Sequence, residues 1–239
     1  TKAMSGEAAC RSDLTLPGHQ AEMVARLKDT GRPVVVLLVN GRPLALENIR
    51  AQCDALVECW HLGIQAGNAV ADVLKGLKNP SGKLTISFPE VSGQCPVYYN
   101  HLNTGRPAGK GNFSSKYLDA PYKLKYPFGY GLSYTSFEYT DFKAKINGTE
   151  LEASVNVKNC GNYDGEEIVQ FYFRDVTASM ARPVKQLFAF EKVMLQKGEM
   201  KTIRVSRPVN TLGFYNNRGE YCLEDGVFRI FAGKNSEDV

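Results

Sequence analysis

The chain has 239 residues, 43% hydrophobic and 23% charged, with a formal net charge of +4. That is ordinary globular composition, enough for one large or two medium domains. Basic and acidic residues are interleaved, with no Lys/Arg run longer than two, which argues against a nucleic-acid-binding stripe; no apolar run approaches the roughly 20 residues of a membrane helix.

Residues 17–88 alternate helix and strand. Pro17-Gly18 leads into HQAEMVARLKDT, where Met23, Val24 and Leu27 fall at near-helical spacing and Gly31 stands at the C-terminal cap. VVVLLV (34–39) is a continuous apolar run, the pattern of a strand covered on both faces in a parallel sheet. After the turn Asn40-Gly41-Arg42-Pro43 and a short helical stretch, DALVECW (54–60) predicts a second buried strand. Gly67-Asn68 opens an amphipathic helix, AVADVLKG, that ends at Gly76. Asn79-Pro80-Ser81-Gly82 is turn chemistry, and LTISF (84–88) predicts a third strand. Helix–strand alternation with short loops is an α/β layer pattern.

Residues 89–136 are irregular and rich in proline, glycine and tyrosine. Tyr98, Tyr99, Tyr117, Tyr122, Tyr126, Phe128, Tyr130 and Tyr134 offer too much burial for a disordered linker, so the stretch reads as functional or as wrapping a neighbouring domain. From Phe137 the pattern is all-β: FEYTDFKAKI, ELEASVNVKN, EEIVQFYFRD, KQLFAFEKVML, MKTIRVSRPV and GVFRIFAG read as strands. In LEASVNVKN, Leu151, Ala153, Val155 and Val157 share one face. Six strands at this spacing suit an immunoglobulin-like or fibronectin-type sandwich, one strand short, and the chain is expected to be a piece cut at both ends. The cysteines, Cys10, Cys53, Cys59, Cys95, Cys160 and Cys222, form no CxxC, and the three histidines lie far apart. Free, partly buried thiols are expected, without a zinc site.

These stretches together carry a family resemblance. SGEAACRSDLTLPGHQ, VVVLLVNGRPLAL, GNAVADVLKGLKNPSGKLTISFP, PVYYNHLNTGRP, SKYLDAP, YPFGYGLSYTSFEY and DVTASMARPVKQLFAFEKVML run in family order across almost the whole chain. The chain resembles the C-terminal third of a glycoside hydrolase family 3 enzyme, near the bacterial periplasmic β-glucosidases. The resemblance implies an α/β plus all-β fold: the C-terminal part of an α/β sandwich domain (1–95), a Tyr/Pro/Gly-rich connecting loop (96–136) and a fibronectin type III-like domain (137–239). It implies a retaining, exo-acting β-glucosidase that removes terminal β-glucosyl units, with a β-xylosidase of the same family, or a non-catalytic carbohydrate-binding or interaction module, as alternatives. It also implies a periplasmic or secreted protein, although no signal peptide is visible.

Retaining hydrolysis needs two carboxyl groups about 5–5.5 Å apart. The family's nucleophile is an aspartate on an N-terminal barrel, in a Ser-Asp-Trp-type motif that this chain lacks. The matching position for the acid/base is Glu7, in SGEAACRSD, with a glutamate immediately upstream of Thr1 as the competing candidate. Arg11 is the substrate-binding candidate, and Arg11 and Asp13 could orient Glu7. His61, His101 and Arg106 are weaker candidates, and Gln65 stands where the family commonly has a glutamate. No metal or organic cofactor is expected, because two carboxyl groups supply both the covalent and the proton-transfer steps. The partners implied are a β-glucoside or oligosaccharide, the N-terminal barrel portion of the same enzyme and, as an option, further copies of the protein. An apolar sheet edge is expected to be left open for the missing portion.

Overall fold

The computed structural model describes residues 8–109 and 111–239. They form two compact units. Among the described residues, the first comprises 8–75, 86–97 and 108–126 apart from 110; the second comprises 76–85, 98–107 and 127–239.

The first unit is the α/β layer. Helix α1 (Gln20–Lys28) carries Glu22 in its first turn and Arg26 and Lys28 in its last, charges that complement the helix dipole at each end. Arg26 also donates to Glu22 one turn back, at 2.6 Å. The helix stops where glycine is needed: Gly31 takes φ +71°. Strand β1 (Val35–Leu38) and strand β2 (Ala55–Glu58) pair in parallel, Val35 opposite Ala55 through Leu38 opposite Glu58. The short helix α2 (Glu47–Arg50) lies in the crossover between them and buries Ile49 completely. Helix α3 (Ala66–Leu74) follows β2 and ends ahead of Gly76, again at positive φ.

Two strand expectations are corrected. VVVLLV is covered on one face: Val34 and Leu38 are buried, whereas Val35, Leu37 and Val39 are 46%, 41% and 66% exposed. An uninterrupted apolar run is the composition of a strand meant for cover on both sides, and the described residues supply one layer. Helix α3 likewise has no buried residue. The opening is therefore a face as well as an edge. LTISF is not a strand, because its backbone groups are divided between irregular partners. Leu84 exchanges hydrogen bonds with Tyr130 and Gly129 at 2.8 and 2.7 Å, while Phe88 makes an isolated bridge to Tyr126.

The second unit is a β-sandwich containing all six expected strands. One sheet has β3 (Phe137–Asn147), β4 (Glu150–Asn159) and β7 (Met200–Pro208) in the order β3-β4-β7; the other has β5 (Gly165–Asp175), β6 (Gln186–Leu195) and β10 (Phe228–Gly233) in the order β10-β5-β6. A two-residue ladder, β8 (Phe214–Tyr215) with β9 (Tyr221–Cys222), interrupts the run before β10. Leu151, Ala153, Val155 and Val157 are all buried on one face, as their period of two requires: the last three cluster with Val169, Phe171, Ile203 and Val205, and Leu151 with Phe173 and Leu212.

The outer face of β5 is covered too. Tyr99 stacks on Phe128 at 4.2 Å and meets Tyr172 edge-on. Gln170 donates to the carbonyls of Gly129 and Lys234. A Cβ on Gly129 would lie 2.0 Å from Gln170 Oε1, which explains the glycine of YPFGYG. The NPSGK turn packs here as well. Asn79 accepts from Ser133 and Tyr134 and donates to the Asp164 carbonyl. Lys83 pairs with the buried Glu167 at 3.2 Å, and Glu167 also accepts from the Tyr139 hydroxyl at 2.9 Å. All six cysteines are free thiols; Cys59 is buried and Cys10, Cys95 and Cys160 are exposed.

Candidate active site at the carboxyl edge of the parallel sheet

Parallel sheets present ligand loops beyond the carboxyl ends of their strands. Here β1 runs into Asn40-Gly41-Arg42-Pro43 and β2 into Cys59-Trp60-His61. Trp60 adopts φ +48°, uncommon for a residue with a side chain. The turn is held by Glu58, whose Oε1 accepts the Trp60 N–H at 2.9 Å, and by the Trp60 ring, 5.9 Å from that of Phe88. Burial pushes the half-buried Glu58 carboxyl above its ordinary range, against the opposing pull of the Trp60 N–H and the Asn40 side chain. A Cβ on Gly41 would come within 3.3 Å of His61 Nε2, so glycine leaves the exposed imidazole its place beside the turn.

The loop after Glu7 is pinned to this edge at two points. At the near end, the Arg42 guanidinium donates to the Arg11 carbonyl and to Cys10 Sγ. At the far end, the buried Leu14 donates its N–H to Ser92 Oγ and accepts from the Ala45 N–H, both at 2.9 Å. Between the pins the loop bonds to itself. Asp13 accepts the Thr15 N–H and hydroxyl, each at 2.9 Å, and the Thr15 N–H is the main reason its carboxyl sits below the ordinary range. The Arg11 side chain turns back to the Thr15 carbonyl at 3.3 Å and lies 3.6 Å from Asp13. Ala8 bends the chain with φ +55°.

Of the residues singled out in the sequence, Glu7 lies outside the described residues. Arg11 and Asp13 come together in the pinned loop, and His61 stands beside the same Asn40–Pro43 turn. Gln65 caps α3 and accepts from Asn68 at 2.7 Å. His101 and Arg106 belong to the second unit, where the His101 ring and backbone bond to Leu102 and Val184. Sequence reasoning missed Glu58 and Arg42. A carboxylate closing the apolar run DALVE was a usable signal for the first. Nothing in the spacing announces that Arg42 reaches a carbonyl 31 residues earlier. Among the described residues no group of three His, Cys, Asp or Glu side chains converges as a metal site.

Residues 1–134 match the glycosyl hydrolase family 3 C-terminal domain, and residues 167–236 match a fibronectin type III-like domain. The chain is 46% identical to a periplasmic beta-glucosidase of Salmonella typhimurium, over 100% of this chain and 32% of that protein. It is 40% identical to a beta-xylosidase of Formosa agariphila, over 97% of this chain and 32% of the relative. The crystal structure of a beta-glucosidase from Listeria innocua in complex with glucose superposes with a TM-score of 0.93 at 46% identity, over 98% of this chain and 34% of that one. The chain thus spans about a third of the length of these relatives. With a domain model covering more than half of its residues, and a fold that agrees from the parallel sheet to the β-sandwich, the chain belongs to glycosyl hydrolase family 3.

Proposed function

We propose that this chain is part of a retaining, exo-acting β-glucosidase, to which it contributes the acid/base loop, while the aspartate nucleophile comes from an N-terminal barrel portion. The observation that carries the reading is the family 3 match through the whole Glu7 loop, together with the anchoring of that loop at the carboxyl edge of the parallel sheet. The Salmonella and Listeria relatives are named as beta-glucosidases, which favours glucose; the Formosa relative keeps xylose as the second reading. The exposed faces of β1 and α3 support a partner surface for the remaining portion of the enzyme. The name of the Salmonella relative supports a periplasmic or secreted location.

The chemistry assigned to Glu7 has two halves. As the nucleophile attacks C1, protonated Glu7 gives its proton to the glycosidic oxygen and the aglycone leaves as an alcohol. Glu7, now a carboxylate, takes a proton from water as that water attacks C1; the glycosyl–aspartate bond breaks, the sugar is released and both carboxyl groups are restored. Two carboxyl groups complete the cycle without a cofactor.

In the enzyme that carries this chain, Glu7→Gln is expected to lower kcat/KM for an alkyl β-glucoside by about 100-fold or more and kcat/KM for dinitrophenyl β-glucoside far less, since a good leaving group needs no proton. Azide should restore turnover of the activated substrate as glucosyl azide. Near-normal hydrolysis of both glucosides would remove Glu7 from the mechanism. A preference for the corresponding xylosides in the parent enzyme would move the reading to β-xylosidase.

A further inference from the structure

We infer that Arg42 is a positioning residue that fixes the loop following Glu7 in the place from which Glu7 serves the leaving-group oxygen; this rests on the reading of Glu7 as the acid/base. The contact joins two segments far apart in sequence. Arg42 takes a main-chain carbonyl, that of Arg11, with one arm of its guanidinium, and Cys10 Sγ with another. A planar fork with two occupied arms fixes direction as well as distance, which a lysine ammonium does not. What it fixes is backbone, so it acts on the path of the chain rather than on one side chain.

The anchor at its other end is flanked by buried residues. Arg42 sits in the turn that closes β1, between the buried Leu38 and the buried Ala45. The Leu14 pin lies farther along the loop and is made to Ala45 and Ser92. Arg42 adds a second fixed point nearer to Glu7, at Cys10 and Arg11. A misplacement of about 1 Å in a proton donor costs on the order of 100-fold in rate, so a single polar clamp at this point sets whether Glu7 reaches the departing oxygen.

The clamp has a readout that owes nothing to catalysis, because the bond it covers, Arg11–Ser12, is a trypsin site. In Arg42→Ala, tryptic cleavage there, followed by mass spectrometry of the folded protein, is expected to accelerate by about tenfold or more through local opening, with Arg42→Lys between the two. In the enzyme, Arg42→Ala should lower kcat/KM for an alkyl β-glucoside by roughly 10- to 100-fold while changing kcat/KM for the dinitrophenyl glucoside, which reports the glycosylation step alone, by less than about threefold. Unchanged protection of Arg11–Ser12 in both Arg42 variants would overturn the clamp whatever the kinetics. Equal losses in kcat/KM on both glucosides would overturn the positioning role, since general damage to the fold does not discriminate between leaving groups. If Glu7→Gln itself lacks leaving-group dependence while Arg42→Ala still exposes Arg11–Ser12, the acid/base reading has failed and the positioning role falls with it, but the clamp stands. Circular dichroism confirms folding of each variant, and Arg42→Lys carries the test if Arg42→Ala does not fold.

Discussion

Strand β4 of the sandwich and strand β1 of the α/β layer are made of the same kind of side chain and meet opposite fates. Leu151, Ala153, Val155 and Val157 are each under 5% exposed, because a second sheet brings Val169, Phe171 and Phe173 against them. Val35, Leu37 and Val39 are open to solvent. Composition makes a strand apolar, but only an opposing layer buries it. Charge follows the same divide. In the sandwich, Glu167 is almost fully enclosed and meets both a lysine and a tyrosine hydroxyl. At the sheet edge, Glu58 is half-buried and leans on a main-chain N–H. Glu167 is satisfied by side chains that close over it, whereas Glu58 is held by the main chain of the loop that follows it.

The most damaging test of the comparison is at Lys83. Lys83→Met strands a buried carboxylate and is expected to destabilise the sandwich by about 3–5 kcal/mol, measured by urea unfolding. Replacing the trio together, as Lys83→Met, Glu167→Leu and Tyr139→Phe, should recover most of that loss. A triple variant no more stable than the single would show that the charges contribute more than their mutual satisfaction. A pair of polar substitutions comes next. Val155→Thr should cost about 1–3 kcal/mol, because it buries a hydroxyl in the sandwich core. Leu37→Thr, on the open face, should stay within about 0.5 kcal/mol. Similar costs would mean that the β1 face is covered in the free chain.

The smallest effect expected is a pH dependence at Glu58. Burial raises its pKa, so the folded state holds the proton more tightly than the unfolded chain does. Its stabilising contribution is therefore full below the ordinary glutamate range and is lost as pH rises through the raised value. Glu58→Gln keeps an acceptor for the Trp60 N–H and removes the titration. Its urea midpoint relative to wild type should climb as pH rises above the ordinary glutamate range. Parallel curves for the two proteins would show that Glu58 is not the titrating group.

Much of this fold was legible because period-two patterns are strong where one face is buried. ELEASVNVKN was read with the bounds the strand has, and Gly31 and Gly76 marked two helix ends. The misreadings share one cause. LTISF and VVVLLV are apolar enough to be strands of a closed sheet, but hydropathy does not say what lies opposite. LTISF finds irregular backbone at 126–130, and VVVLLV finds cover on one side. At the site, the family motif singled out Glu7 and Arg11, while Arg42 and Glu58 act through main-chain atoms that leave no spacing signature.

The route of the chain between its units carries a practical consequence. It passes from one to the other at 75/76, 85/86, 97/98, 107/108 and 126/127. On the ribosome neither unit can be completed until Tyr126 has emerged, so the first waits for more than half of these 239 residues while its apolar strands are already made. A protease nick or gene boundary placed anywhere from 76 to 126 divides both units at once. Starting expression at Phe137 removes Asn79, Lys83 and Gly129, the hooks on which the sandwich hangs its outer covering.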